Sequence, residues 1–287
     1  GVESMSMVPM FSPMPKGHPF GTPNSDAVRA HFGDAPFYSQ FVGAEMMCTT
    51  YEITREEMDE FAASSHAKAV AAQADGRFAA EIVAVEGAEK DGAAVTHDVD
   101  QGVRPATTAA KLAELDTLVA QGFCPPPPDA PAGRITAGNA SQICDGAAAI
   151  VIANEEGLRK MGSPAPLAAI HTLALAASDP VLMLQAPIPA TERALARAGL
   201  SIGDIDLYEV NEAFASVPMA WAKALGADPV KLNVNGGAIA LGHPLGGTGA
   251  KLMTSLVSEM GRSKARRGLL AICEGGGTAN ATIVERC

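Results

Sequence analysis

Two proton-carrying side chains stand inside runs of glycine, and their surroundings set the chemistry open to this sequence. His243 lies in Asn233-Val-Asn-Gly-Gly-Ala-Ile-Ala-Leu-Gly-His243-Pro-Leu-Gly-Gly-Thr-Gly-Ala-Lys251, with Gly236, Gly237, Gly242, Gly246, Gly247 and Gly249 around it. Cys273 opens Cys273-Glu-Gly-Gly-Gly277 after an apolar run. Glycine removes side-chain bulk and lets backbone N–H groups approach a ligand closely. An imidazole and a thiol framed in this way suit acyl chemistry with oxyanion stabilisation better than core packing. The Gly-Gly-Thr-Gly-Ala-Lys segment lacks the spacing and the Lys-Ser/Thr ending of a phosphate-binding loop, so that reading is set aside. Asn211, in Glu209-Val-Asn-Glu-Ala-Phe-Ala215, taken alone reads as a helix cap. Asn139-Ala-Ser141 and Asp145-Gly146 are by themselves ordinary turn residues. Of the remaining cysteines, Cys48, Cys124, Cys144 and Cys287 read as buried and inert. His18, His31, His66, His97 and His171 receive no role.

These residues need elements to hold them. Downstream of the proline run Cys124-Pro-Pro-Pro-Pro-Asp-Ala-Pro131, a stiff connector, strands and helices alternate as in a layered α/β domain. Strands are predicted over Ala147–Ala153, Leu167–Ala176, Asp206–Val210, Lys231–Val234, Gly268–Cys273 and Ala279–Glu285. Helices are predicted over Glu155–Met161, Pro189–Ala198, Glu212–Leu225 and roughly Gly247–Met260. In such a fold the working groups collect on loops at strand ends, where Asn211, His243 and Cys273 fall. If Cys273 faces the site, strand alternation turns Glu274 away from it. Upstream, the capping box Thr54-Arg-Glu-Glu57 starts a helix that ends near Asp75-Gly76. Glu81–Val85 alternates like a strand, and Ala109–Ala120 reads as a further helix. The first twenty-odd residues, rich in Met, Pro, Phe and Gly, read as a loop or meander.

Composition narrows the function. The chain has 287 residues, 47% hydrophobic and 18% charged, which suits a compact protein with a substantial core. A formal net charge of −11 argues against a general nucleic-acid or anionic-membrane binder. The basic cluster Arg262, Lys264, Arg266 and Arg267 reads as a solvated helix end. Five scattered cysteines with no C-x-x-C pair disfavour a disulfide framework and a structural zinc site, and point to a reducing cytoplasm. No metal and no membrane span are expected.

Taken in order, Gly1-Val-Glu-Ser-Met-Ser6, Thr136-Ala-Gly-Asn-Ala-Ser141, Asp145-Gly-Ala-Ala148, Asn211-Glu-Ala-Phe214, Asn235-Gly-Gly-Ala-Ile-Ala-Leu-Gly-His-Pro244 and Cys273-Glu-Gly-Gly-Gly277 resemble the thiolase family over essentially the whole chain. The last two motifs are specific. The resemblance implies an α/β fold of five layers, α-β-α-β-α, here with an incomplete N-terminal half. It divides the chain into a remnant of that half (1–20), a loop domain with the end of that half (21–132), and the C-terminal thiolase domain (133–287).

The resemblance also implies an acetyl-CoA C-acyltransferase: thiolysis of 3-ketoacyl-CoA to acetyl-CoA and a shortened acyl-CoA, or the reverse Claisen condensation. CoA enters as substrate, with no further cofactor, in lipid metabolism such as β-oxidation. His243 matches the residue that activates the nucleophile and donates to the thioester oxygen. Cys273 matches the acid/base acting on the acetyl-CoA α-carbon. Asn211 matches the holder of a water in one oxyanion hole, the N–H of Gly275 a donor of the second, and Ser141 a contact to the pantetheine arm. One such oxyanion donor is worth about 2.7–4 kcal/mol of transition-state stabilisation. The partners implied are acyl-CoA and free CoA, and a homodimer or homotetramer.

The sequence departs from the family in two places. The nucleophile motif N-x-x-C-x-S-G, which precedes the Gly-Val-Glu-Ser-Met-Ser run in the family, is not found in it. The expectation is therefore a fragment or partial record, lacking roughly one small domain of about 100 residues, which by itself folds poorly or is inactive, or whose partner chain supplies the nucleophile. In place of H-M-G-x-T-A-E stands Ser39-Gln-Phe-Val-Gly-Ala-Glu45. Two alternatives remain: a non-catalytic or partner-dependent CoA-binding subunit, and a ketoacyl synthase relative, against which Cys273 counts because those enzymes pair the nucleophile with two histidines.

Overall fold

The computed structural model describes residues 1–10, 12, 25–32, 39–89 and 91–287; His18 and most of the Met/Pro/Phe-rich opening stretch lie outside them. The elements run β1 (Val2–Ser4), α1 (Asp26–Phe32), α2 (Gln40–Tyr51), α3 (Arg55–Ala74), β2 (Val85–Ala88), β3 (Ala94–His97), α4 (Ala109–Ala113), β4 (Asp145–Ala147), α5 (Glu155–Lys160) and β5 (Ala168–Ala177). After these come α6 (Pro187–Ala198), β6 (Leu207–Val210), α7 (Ser216–Leu225), α8 (Ala238–Leu241), α9 (Thr248–Ser263), β7 (Arg267–Glu274) and β8 (Thr278–Arg286).

The principal sheet has the order β5-β8-β7-β6, in which β6 runs parallel to β7 and the other pairs are antiparallel. Its central strands, β8 and β7, are buried continuously over 281–284 and 268–273 because both faces are covered. Leu269 and Ala271 share one core with Tyr208, Val210, Ala281 and Ile283, with Ile188, Ala190 and Ala194 of α6, and with Trp221 of α7. Leu270 and Ile272 point the other way, onto Leu252, Leu256 and Met260 of α9. Helix α7 serves two cores: Trp221 joins the sheet side, while Val217 and Ala220 pack against Met47 and Cys48 of α2 and Met58 of α3. The fully buried Trp221 donates its indole N–H to Thr191 Oγ1, 2.9 Å away, so its polar atom is satisfied. The capping box at Thr54 forms as expected: Glu57 N donates to Thr54 Oγ1, and Thr54 N to the Glu57 carboxylate.

Several elements differ from the sequence expectation, each for a local reason. Ala147–Ala153 is a strand at Ala147 alone, the last residue of β4, which pairs with Val2 of β1. Ile150, Val151 and Ile152 are exposed in consequence. The Ala109–Ala120 helix stops at Ala113; Thr117 then bridges to Thr136, and its hydroxyl donates to Ala132 O. Lys231–Val234 contributes a single bridge, Leu232 to Tyr208, before Asn233 turns into the left-handed region at φ 45°. The Glu81–Val85 alternation is displaced into the hairpin of β2 and β3. Helix α7 begins at Ser216 rather than Glu212, since Ala213–Ala215 are engaged with Asn139–Ser141 through Ser141 N to Ala213 O and Ala215 N to Asn139 O. Helix α2 had no sequence expectation. Cys287, read as buried, is exposed at the end of the chain, whereas Cys48 and Cys124 are buried.

Candidate active site

The parallel strands β6 and β7 end side by side, and the residues after them form the floor of the site. Asn211 follows β6 directly and donates its N–H to Ala271 O. Cys273 is the penultimate residue of β7 and faces the α7 side, while Glu274 is turned outward, accepting from Thr278 Oγ1 and Asn280 Nδ2. The alternation expected for Cys273 and Glu274 therefore holds. Asn211 caps no helix; the residue before α7 is Ala215.

His243 arrives from a third direction, on the loop between α8 and α9. Its Nε2 lies 3.2 Å from Asn211 Nδ2, and the Asn211 side chain also stands beside the Cys273 thiol, close enough to hold its pKa down. One amide thus stands beside both the imidazole and the thiol. Asn211 is buried, and its Oδ1 has no partner among the described residues. The other face of the imidazole is fixed by Thr248, whose hydroxyl lies 2.6 Å from Nδ1 and itself donates to Pro244 O. A hydroxyl that spends its hydrogen on a carbonyl can only accept from the ring, so Nδ1 carries the hydrogen and Nε2 presents a lone pair.

Burial sets both protonation states. It brings the His243 pKa down from 6.5 to about 4, with the Lys251 charge adding to the effect. Burial pushes the Cys273 thiol up to about 12, against the opposing influence of the Asn211 amide. At neutral pH the pair is therefore a neutral imidazole and a protonated thiol, a base and an acid held by one amide.

Two glycines are needed for contact reasons. A Cβ on Gly237 would collide with the Glu212 carboxylate. One on Gly242, at φ 79°, would collide with the Cys144 sulfur. Glu212 is buried and accepts from Ser65 Oγ, Asn233 Nδ2 and Ile239 N. Asn233 in turn brackets Val210, accepting its N–H and donating to its carbonyl, which fixes the strand end carrying Asn211. Sequence reasoning gave no role to Thr248, Lys251, Glu212 or Asn233. Thr248 alone had a usable signal, a hydroxyl at a helix start shortly after the histidine.

Ser141 reaches the same corner through its backbone, with its N–H on Ala213 O and the next residue accepting His243 N–H. Gly275 lies two residues beyond Cys273, exposed, and a Cβ there would meet nothing within 4 Å. His66, given no role, is a buried structural acceptor for Arg104 N–H. A cleft of about 530 Å³ adjoins the histidine loop, lined by Asp100, Cys144, Pro244 and Lys251 among others, but His243, Asn211 and Cys273 do not line it. Among the described residues, no group of three His, Cys, Asp or Glu side chains could hold a metal ion, and no helix is long and apolar enough to cross a membrane.

The α/β fold thus brings a neutral imidazole, carried on the loop between α8 and α9, to a protonated thiol and an amide at the ends of two parallel strands. The chain belongs to the thiolase family: "Thiolase, N-terminal domain" matches residues 1–156 and "Thiolase, C-terminal domain" residues 164–286. It is 46% identical over 290 residues to the steroid 3-ketoacyl-CoA thiolase FadA6 of Mycobacterium tuberculosis, covering 100% of this chain and 67% of that protein. To a 3-ketoacyl-CoA thiolase of Aeromonas hydrophila it is 41% identical over 294 residues, covering 70% of that relative. The fold matches the crystal structure of the Bacillus anthracis acetyl-CoA acetyltransferase with a TM-score of 0.83 at 36% identity, covering 100% of this chain and 71% of that one. The α/β thiolase fold expected from the motifs is thereby found.

Proposed function

We infer that this protein is an acetyl-CoA C-acyltransferase that cleaves 3-ketoacyl-CoA with free CoA into acetyl-CoA and a shortened acyl-CoA. The observation that carries the reading is the Asn211 amide, 3.2 Å from the His243 ring and set beside the Cys273 thiol. It is supported by relatives named 3-ketoacyl-CoA thiolases at 41–46% identity over the whole chain.

The geometry divides the labour. Neutral His243, with its Nε2 lone pair free of hydrogen, takes the proton of an attacking thiol and then returns an N–H donor to the oxyanion that forms. Cleavage of the C2–C3 bond leaves its electron pair on the acetyl-CoA α-carbon, and the Cys273 thiol delivers the proton there. The thiolate left behind takes the proton of the incoming CoA thiol, whose sulfur displaces the acyl-carrying thiolate; that thiolate recovers its proton from His243, so acid and base are both restored as the shortened acyl-CoA leaves. Asn211 holds a water through its orphaned Oδ1, the Gly275 N–H serves the second oxyanion, and Ser141 meets the pantetheine arm. General acid–base assistance of this kind is worth about 10²–10⁴ in rate. The acyl-carrying thiol belongs to the N-x-x-C-x-S-G motif, which these 287 residues do not contain; what they supply is the acid–base half of the reaction. CoA acts as substrate with no further cofactor, and a cytoplasmic homodimer or homotetramer belongs to the same reading.

The test is thiolysis by the protein as its gene encodes it, with 3-ketoacyl-CoA and CoA, followed by mass spectrometry. Formation of acetyl-CoA together with the acyl-CoA two carbons shorter is expected. CoA binding without either product would favour the non-catalytic CoA-binding subunit instead.

A further inference from the structure

His243 owes its place to a helix of a single turn. Four residues, Ala238–Leu241, make α8, and a helix that short has no stability of its own in water. Its ends must be held by something else. At the N-terminal end the Glu212 carboxylate accepts Ile239 N–H at 3.1 Å, and Ser65 Oγ accepts Gly237 N–H at 3.0 Å. At the C-terminal end Lys251 Nζ donates to Leu241 O at 2.6 Å and to Gly242 O at 3.0 Å. An anion meets the N–H end and a cation the carbonyl end, the arrangement the helix dipole favours.

Lys251 gives up something to do this. It sits in the first turn of its own helix, α9, where the dipole disfavours a cation, and its pKa is lowered by loss of solvent. Asp100, Cys144, Glu209 and Glu212 lie around it, and the carboxyl groups among them offset that cost electrostatically. The two carbonyls it grips are those of the residues immediately before His243.

We propose that Lys251 is a positioning residue for His243: its ammonium clamps the Leu241 and Gly242 carbonyls and so fixes where the imidazole stands against Asn211. The proposal rests on reading His243 as the base of the site, but its clamp is measurable without turnover. It also accounts for the lysine in Gly-Gly-Thr-Gly-Ala-Lys251, which phosphate binding does not.

The experiment compares the wild-type chain with Lys251→Met and Lys251→Gln by NMR, following the His243 ring titration and amide exchange. In Lys251→Met, exchange at Gly242 and His243 is expected to accelerate about ten- to a hundredfold, the effect of losing charge-assisted hydrogen bonds, while the β7 amides keep their protection. The His243 midpoint should rise by roughly one pH unit when the nearby cation is removed. Lys251→Gln keeps a donor for the carbonyls, so it should fold even where Lys251→Met does not, with a smaller exchange effect and the same upward titration shift. A folded variant in which the Gly242 and His243 amides and the His243 midpoint all match wild type overturns the proposal. If the clamp is found but the wild type yields no thiolysis, the functional reading fails and the clamp stands.

Discussion

Two apolar runs of similar sequence meet different fates. Gly268–Cys273 becomes a strand buried on both faces, whereas Ala147–Ala153 leaves the sheet after one residue and exposes Val151 and Ile152 at 75% and 73%. The difference is not in propensity, since Ala147–Ala153 carries Ile150, Val151 and Ile152 whereas Gly268–Cys273 has Ile272 as its one β-branched residue. It lies in neighbours: β7 has β6 on one side and β8 on the other, while β4 has β1 on one side alone. A strand is a property of the pair. The working groups Asn211 and Cys273 stand at the ends of the strands that are paired and covered, which is what rigid placement of an acid and a base requires.

The contrast can be broken by substitution. Trp221→Ala removes the largest fully buried side chain under the sheet and should cost about 3–5 kcal/mol in denaturant unfolding. Val151→Ala should stay within about 0.5 kcal/mol, as for other surface changes; an equal loss at both positions would erase the distinction. Gly237→Ala drives a methyl into the Glu212 carboxylate and should cost about 1–3 kcal/mol. It should also loosen Ile239, whose N–H that carboxylate accepts, visible as faster amide exchange there.

The protonation states sharpen the same contrast. Because the folded His243 titrates near 4 against 6.5 when unfolded, the unfolded chain binds the extra proton between those values. Stability should therefore be complete above pH 6.5 and fall as pH drops toward 4, by up to about 1.4 kcal/mol per unit for this group. For Cys273 the window is alkaline: folded near 12 against 9.0, it costs stability as pH rises from 9 to 12. His243→Gln should flatten the acid limb, and Cys273→Ala the alkaline one. The smallest effect is expected at Thr248→Val, which leaves the fold intact but frees the ring tautomer, with a shift in the ring nitrogen resonances of His243 as the readout.

Much of this was legible in the sequence. Glycine runs marked His243 and Cys273, and strand alternation oriented Cys273 against Glu274. What could not be read was tertiary. Asn211 reads as a cap until Ala213–Ala215 are seen paired with Asn139–Ser141, which delays α7 to Ser216. Glu212, Asn233 and Lys251 look like ordinary polar residues, and only the folded chain shows that they grip backbone from distant segments. Polar side chains that support a site carry no spacing signal, because their partners are set by packing.

The central claim is that His243 and Cys273 serve one carbonyl-bearing thioester through Asn211. The most direct test is entry of solvent deuterium into the acetyl-CoA methyl group, followed by NMR for wild type, Cys273→Ala and His243→Ala. Exchange in wild type, abolished in Cys273→Ala and slowed in His243→Ala, is the result the account requires; exchange that continues unchanged in Cys273→Ala would contradict it.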